Sequence, residues 1–283
     1  MTADATLWLV ANSASGSNDD DALAALVGQL GAAGHAPARV IDCAAEDPPS
    51  RVALEQAGVA TLVVFTGDGT VSALLPPLEG WSGGVLVLPG GTTNLLAKML
   101  HSPCETGAII AALAAGRSRV VRHPCVRMSG HVALCEVLAG PGAKWSDVRE
   151  GLREGELARV ASAALDAVKD SAGGAMVQVA APELGHDEGY AGVRIVPHVQ
   201  GLVVDGYRSD GFADYFKQGL ALIKRDFREG PHDELGMHQA LICRSEDGSP
   251  IELMVDGERA IGQAEERFSL ATLALDLLAT GHG

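Results

Sequence analysis

Two apolar runs rich in β-branched residues, Thr61–Phe65 (TLVVF) and Val85–Leu88 (VLVL), each lead straight into a glycine-rich segment and then into a helical run. The first passes through Thr66-Gly67-Asp68-Gly69-Thr70 to Val71–Leu75, which Pro76-Pro77 ends. The second passes through Pro89-Gly90-Gly91-Thr92-Thr93-Asn94 to Leu95–Leu100. A strand with no polar face has to be covered on both sides. Strands that alternate with helices in this way make right-handed βαβ units and a mainly parallel sheet. The residues upstream extend the pattern. Thr6–Ala11 reads as a buried strand that stops at Asn12-Ser13, and Ala22–Leu30 as a helix opened by Asp19-Asp20-Asp21. Ala38–Asp42 reads as a second strand and Pro48–Ala57 as a short helix.

Glycines between a buried strand and a helix allow positive φ and a close approach of backbone to a ligand. Consecutive backbone amides in such a turn can hold phosphate oxygens. Asp68 would stand at the carboxyl end of a parallel strand, where open α/β sheets place their sites. Either segment alone also reads as a plain turn, with Thr92, Thr93 or Asn94 capping the helix after it. Two of them on one sheet edge frame a single crevice.

After about residue 122 the texture changes to short strand-like runs bounded by Gly, Pro and Asp. They are Val132–Ala139, Ala175–Ala181, Val193–Val196, Gly201–Val204, Met237–Arg244 and Ile251–Val255. Helical stretches interrupt them at Val148–Lys169 and around Ala213–Lys224, and the closing Ala271–Leu278 has helix propensity. The expected plan is therefore α/β: a parallel-sheet domain over 1–122, then a mainly antiparallel domain over 123–283.

Composition narrows the partners. A formal charge of −15 argues against a nucleic-acid surface, which needs clustered Lys and Arg. No apolar stretch approaches the roughly 20 residues of a membrane span, and no basic leader opens the chain. The expected address is the cytoplasm. Five cysteines without a Cys-x-x-Cys read as reduced thiols. His186-Asp187-Glu188 and His232-Asp233-Glu234 are contiguous polar triplets without the spacing of a helical metal pair, and read as solvated loops.

These segments resemble the diacylglycerol kinase catalytic family, which includes bacterial lipid kinases and sphingosine kinases. Four segments carry the resemblance: Thr66–Thr70, Pro89–Asn94, Asn12-Ser13-Ala14-Ser15-Gly16 after the first strand, and Asp256-Gly257-Glu258 near the C-terminus. It spans about residues 6 to 278. It implies a Rossmann-like nucleotide domain and a C-terminal β-sandwich with the active site between them, the last residues returning towards the first domain. It also implies ATP and Mg²⁺ as cofactors and a lipid alcohol at a membrane surface as acceptor, such as diacylglycerol or a sphingoid base. By the same resemblance Asn12, Ser15, Gly16, Gly67, Asp68, Gly69, Thr70, Gly91, Thr92 and Asn94 line the nucleotide site. Asp68 and Glu258 serve the metal, and Asp256 takes the proton of the acceptor hydroxyl. If Asp256-Gly257-Glu258 stays extended, both acids project to one face.

Read without the resemblance, Asp256-Gly257 is a hairpin turn, as is Asp205-Gly206 after Val203-Val204. Asp147 reads as a cap for the helix at Val148, with Trp145 beside it. The chain departs from the family at Thr66, at Ser13, at Leu95, and at Ser17-Asn18-Asp19, where relatives place a base after Gly16. A weak or inactive nucleotide-binding homologue and an NAD kinase are the other readings. The Gly91–Ala97 segment, closer to the lipid-kinase form, argues against the second.

Overall fold

The computed structural model describes residues 6–13, 20–141, 175–208 and 232–281. Ser15, Gly16, Trp145, Asp147 and the helical stretches expected at 148–169 and 213–224 lie outside them. The chain divides into two compact units, 1–123 with 272–283, and 124–271.

In the first unit, β1 (Thr6–Ala11), β2 (Arg39–Asp42), β3 (Val59–Thr66) and β4 (Gly84–Pro89) are parallel neighbours in the order β2-β1-β3-β4. The helices between them are α1 (Asp20–Ala32), α2 (Arg51–Gln56) and α3 (Asp68–Leu74). After β4 come α4 (Leu95–Leu100), α5 (Thr106–Ala114) and β5 (Arg119–Val121). The strand order reverses between β1 and β3, so the carboxyl ends of these two strands flank the switch point of the sheet. Ser50 caps α2 by accepting the N–H of Ala53. Leu9, Val63, Leu86 and Leu88, all fully buried, join Leu26, Leu30 and Ile109 in one core.

The segment Ala271–Leu278, expected to be helical, is not. Asp276–Ala279 is a strand that pairs parallel with β4 and antiparallel with β5. Eight Leu/Ala-rich residues are too short to hold a helix against this sheet edge. His101 locks the strand in place. Its Nε2 donates to the Val87 carbonyl at 2.8 Å, and its Nδ1 accepts from Thr280 Oγ1 at 2.9 Å.

The second unit has two six-stranded sheets. Its strands are β6 (Pro124–Met128), β7 (His131–Ala133), β8 (Val137–Ala139), β9 (Val177–Ala181), β10 (Glu183–Leu184), β11 (Gly192–His198) and β12 (Gly201–Tyr207), then β13 (Asp233–His238), β14 (Ala240–Ser245), β15 (Glu252–Val255), β16 (Glu258–Ile261) and β17 (Glu265–Thr272). One sheet runs β10-β9-β14-β17-β6-β7 and the other β13-β12-β11-β8-β15-β16. Val126, Leu241 and Phe268 from the first meet Val193, Leu202 and Leu253 from the second in a single core, which makes a β-sandwich.

Three expectations change here. Val132–Ala139 breaks at Leu134–Glu136 into strands of different sheets, and Met237–Arg244 divides the same way at Gln239. Asp205-Gly206 is no turn; it lies within β12, opposite Arg194 and Val193.

Candidate functional site

The two glycine segments meet at the switch-point end of the first unit. β3 and β4 finish level, with Thr66 beside Pro89. A Cβ on Gly91 would stand 2.6 Å from the Gly67 Cα, and one on Gly90 2.6 Å from the Phe65 carbonyl carbon. Glycine is required because backbone lies on backbone. Asp68, in the first turn of α3, reaches across the seam. Its Oδ2 accepts the Asn94 N–H at 2.8 Å and its Oδ1 the Leu95 N–H at 2.6 Å. Asn94 is left-handed (φ 55) and closes its own loop: Oδ1 accepts the Gly91 N–H and Nδ2 donates to the Gly91 carbonyl, both at 2.7 Å. The cap of α4 is thus a carboxylate from the other loop rather than Thr92, Thr93 or Asn94. Thr92 is exposed beside this lock.

The end of β1 joins the same cluster. Asn12 Nδ2 donates to Thr70 Oγ1 at 3.2 Å. Asp42, at the end of β2, holds the turn: Oδ1 accepts the Ser13 N–H at 3.0 Å and Oδ2 the Ser13 hydroxyl at 2.6 Å. These bonds, the Ser13 hydroxyl foremost and then the Ser13 and Ala44 amides, hold the Asp42 carboxyl below its usual range. Asp42 was not singled out from the sequence; an acid ending a short strand was its only signal. The structure thus brings together Asn12, Gly67, Asp68, Gly69, Thr70, Gly91, Thr92 and Asn94.

In the second unit Asp256 and Gly257 form the two-residue turn between β15 and β16, with φ 50 and 96. Positive φ at both positions is what a type I′ hairpin needs. The expectation of an extended Asp256-Gly257-Glu258 is therefore corrected, and the two acids part company. Asp256 is buried at 2% exposure. Its carboxylate accepts N–H groups from Leu134 (2.7 Å), Cys135 (2.7 Å) and Glu136 (2.9 Å), the residues at which β7 gives way to β8. It pins the crossover between the two sheets, so its lone pairs serve the fold. Glu258 opens β16 and is exposed.

A second polar network adjoins this crossover. Arg194 Nε donates to Glu136 Oε2 at 3.0 Å, and Arg194 Nη1 to Asp205 Oδ2 at 3.2 Å. Burial opposes the charge on Arg194, but Glu136, Tyr207 and Asp205 outweigh it and raise its pKa further. A cation inside an apolar strand was the missed sequence signal. The two polar triplets also meet, since His186 Nε2 lies 3.1 Å from Asp233 Oδ2, which accepts the Tyr190 hydroxyl at 3.1 Å. They form a half-exposed clasp rather than two separate loops. Among the described residues no three His, Cys, Asp or Glu side chains gather as a metal site, and no helix is long and apolar enough to cross a membrane. All five cysteines are free.

Residues 6–125 match the diacylglycerol kinase catalytic domain. That stretch takes in the three strand ends, both glycine segments and Asp42. The fold extends the likeness to nearly the whole chain. A diacylglycerol kinase structure from Bacillus anthracis str. Sterne superposes with a TM-score of 0.63 at 16% identity, over 97% of this chain and 96% of that one. Two further structures from the same organism, described as candidate diacylglycerol kinases, give TM-scores of 0.59 and 0.58 at 17% identity. They cover 97% and 96% of this chain and 96% of each of theirs. No curated protein matches the sequence. The family match lies within the first 125 residues, and at 16–17% identity the structural likeness is one of fold.

Proposed function

We propose that the chain is an ATP-dependent kinase that phosphorylates the hydroxyl of a lipid alcohol such as diacylglycerol or a sphingoid base. The observation that carries the reading is the lock at the switch point: two glycine segments in backbone contact, joined by the Asp68 carboxylate. Such a seam fixes backbone amides in place before a phosphate arrives, and phosphoryl transfer depends on positioning and charge neutralisation more than on covalent help.

The donor set suits Mg²⁺ that enters with ATP. Mg²⁺ takes one or two carboxylates, substrate phosphates and several waters, not a protein cage. Asp68 would be its protein partner on the first unit, through water, and the ion would neutralise charge on the phosphates. Asn12, Thr70, Thr92 and Asn94 orient the nucleotide, and Asp42 keeps the Asn12-Ser13 turn in register.

In the transfer the acceptor oxygen bonds to the γ-phosphorus, the bond to the β,γ-bridging oxygen breaks, and ADP leaves. The acceptor proton passes to a carboxylate late in the step. Asp256, expected from the resemblance to take that proton, is committed to three backbone amides. Glu258 is the exposed acid of the segment and the better candidate, with Asp256 as the residue that positions its turn. The deciding experiment follows transfer of labelled γ-phosphate from ATP to a panel of diacylglycerol, sphingosine, ceramide and NAD. Labelled lipid is the expected product. Labelled NAD alone, or no product with ATP bound, rejects the reading.

A further inference from the structure

The outer face of the sheet that carries Glu258 has an apolar corner. Val196 on β11, Val203 on β12 and Met237 on β13 are cross-strand partners and so form one row. Val199, 73% exposed, tops the β11–β12 hairpin above them, and Met237 is 45% exposed. An antiparallel sheet normally shows polar side chains on a face turned to water. The corner is built rather than frayed. Gln239 Nε2 donates to the Gln200 carbonyl at 2.8 Å, the Leu270 N–H donates to the Gln239 carbonyl at 2.8 Å, and Met237 lies over Gly201, where a side chain would collide with it.

Position and charge both bear on what it meets. β11 and β15 each run antiparallel to β8, with Ile195 and Val255 level on Val137. The Val199 hairpin and the Asp256-Gly257 turn therefore stand at the same end of the sheet, the hairpin reaching three residues, about 10 Å, further. In a chain with 36 acids, residues 196–204 and 235–243 carry none, and their only ionisable side chains besides the buried Cys243 thiol are His198 and His238. An acidic protein approaches an anionic bilayer most easily through such a patch.

We infer that Val199 and Met237 dip into the interfacial region of a lipid bilayer and bring this end of the sheet to a membrane-embedded acceptor. The inference rests on the lipid-kinase reading and gives it a membrane-contact surface. A second copy of the chain fits less well: a stable dimer buries about 800 Å² per partner from some 20 residues or more, and this row is four side chains.

The test pairs Val199→Asp/Met237→Asp with the milder Val199→Gln/Met237→Gln. Both positions are surface-exposed, so the substitutions should leave the melting temperature unchanged. Co-sedimentation is measured with phosphatidylcholine vesicles, with and without phosphatidylglycerol, and turnover with long-chain diacylglycerol in vesicles and with a dissolved short-chain diacylglycerol. Vesicle binding should weaken by about tenfold for each side chain lost, and vesicle turnover with it. Turnover of the dissolved acceptor should stay at wild type. Wild-type protein that phosphorylates the dissolved acceptor yet ignores vesicles overturns the inference and leaves the kinase reading standing. Variants that bind vesicles like wild type also overturn it, as does a wild-type dimer that the variants abolish. Wild-type protein that binds vesicles through this corner but phosphorylates no lipid supports the surface and sinks the kinase reading.

Discussion

The Asp68 carboxylate accepts the backbone N–H of Asn94 at 2.8 Å across 26 residues of sequence. With the Leu95 bond it makes one acid the cap of a helix that begins in the other loop. Asp68→Ala should free two amides and let the loops part. Loss of a charged cap costs about 1–2 kcal/mol, so thermal unfolding should come a few degrees lower. The ATP KM should rise more than the acceptor KM. Asp68→Asn keeps one acceptor oxygen and should fall between the two. An Asp68→Ala protein with unchanged melting temperature and ATP KM would show that the lock is idle.

Gly91→Ala tests the seam without touching a charge. The new methyl would sit 2.6 Å from the Gly67 Cα, so one loop must move. Overpacking of this kind costs about 1–3 kcal/mol. The expected result is a rise of at least about fivefold in the ATP KM, in line with that cost. A crystal structure of the variant should show Gly67 or Gly91 displaced. Wild-type kinetics would mean that nucleotide phosphates bind elsewhere.

His101 predicts how stability depends on pH. Burial depresses its pKa below the ordinary 6.5, and the hydrogen bond to the Val87 carbonyl offsets this only in part. Below 6.5 the unfolded chain takes up a proton that the folded chain resists, so stability is lost as pH falls through that range. Above it the contribution is fully present. Melting temperatures of wild type should therefore decline from about pH 6.5 downwards. His101→Gln should flatten that decline while lowering the plateau. Parallel curves for the two proteins would assign the acid loss to other groups.

Much of the first unit was legible because its signals are local. TLVVF and VLVL each run into glycines and then a helical stretch, and that order alone implies the parallel sheet. The lock was not legible, since nothing near Asp68 in sequence shows that its partners are the Asn94 and Leu95 amides. α5 escaped notice because TGAIIAALA has no polar stripe to set its period. Identical dipeptides diverged for tertiary reasons. Asp256-Gly257 turns because β15 and β16 end there, whereas Asp205-Gly206 stays extended because β11 and β13 pair on either side and Arg194 binds Asp205. The Leu/Ala run at the C-terminus had helix propensity, and two waiting sheet strands overrode it.

The same contrast decides how the Asp-Gly-Glu segment should respond to mutation. Asp256 is buried and accepts three backbone N–H groups, so its amide variant must aim an NH₂ at a donor or leave an amide unpaired. A buried unsatisfied group costs about 1–3 kcal/mol. Asp256→Asn should therefore melt several degrees lower, and what turnover it loses should return in part on cooling. Glu258 is exposed, so Glu258→Gln should fold and melt as wild type does. If Glu258 takes the acceptor proton, its variant should lose about 10²–10⁴-fold in kcat, the range for a positioned acid or base. Its ATP affinity should hold. Asp205 makes a poor control, because it pairs with the buried Arg194; exposed Glu265 is better, with Glu265→Gln expected to keep wild-type turnover. Melting curves, kcat and ATP binding for the three variants separate the roles. An Asp256→Asn protein that melts normally yet is dead, beside a fully active Glu258→Gln, would return the proton to Asp256 and leave Glu258 a surface residue.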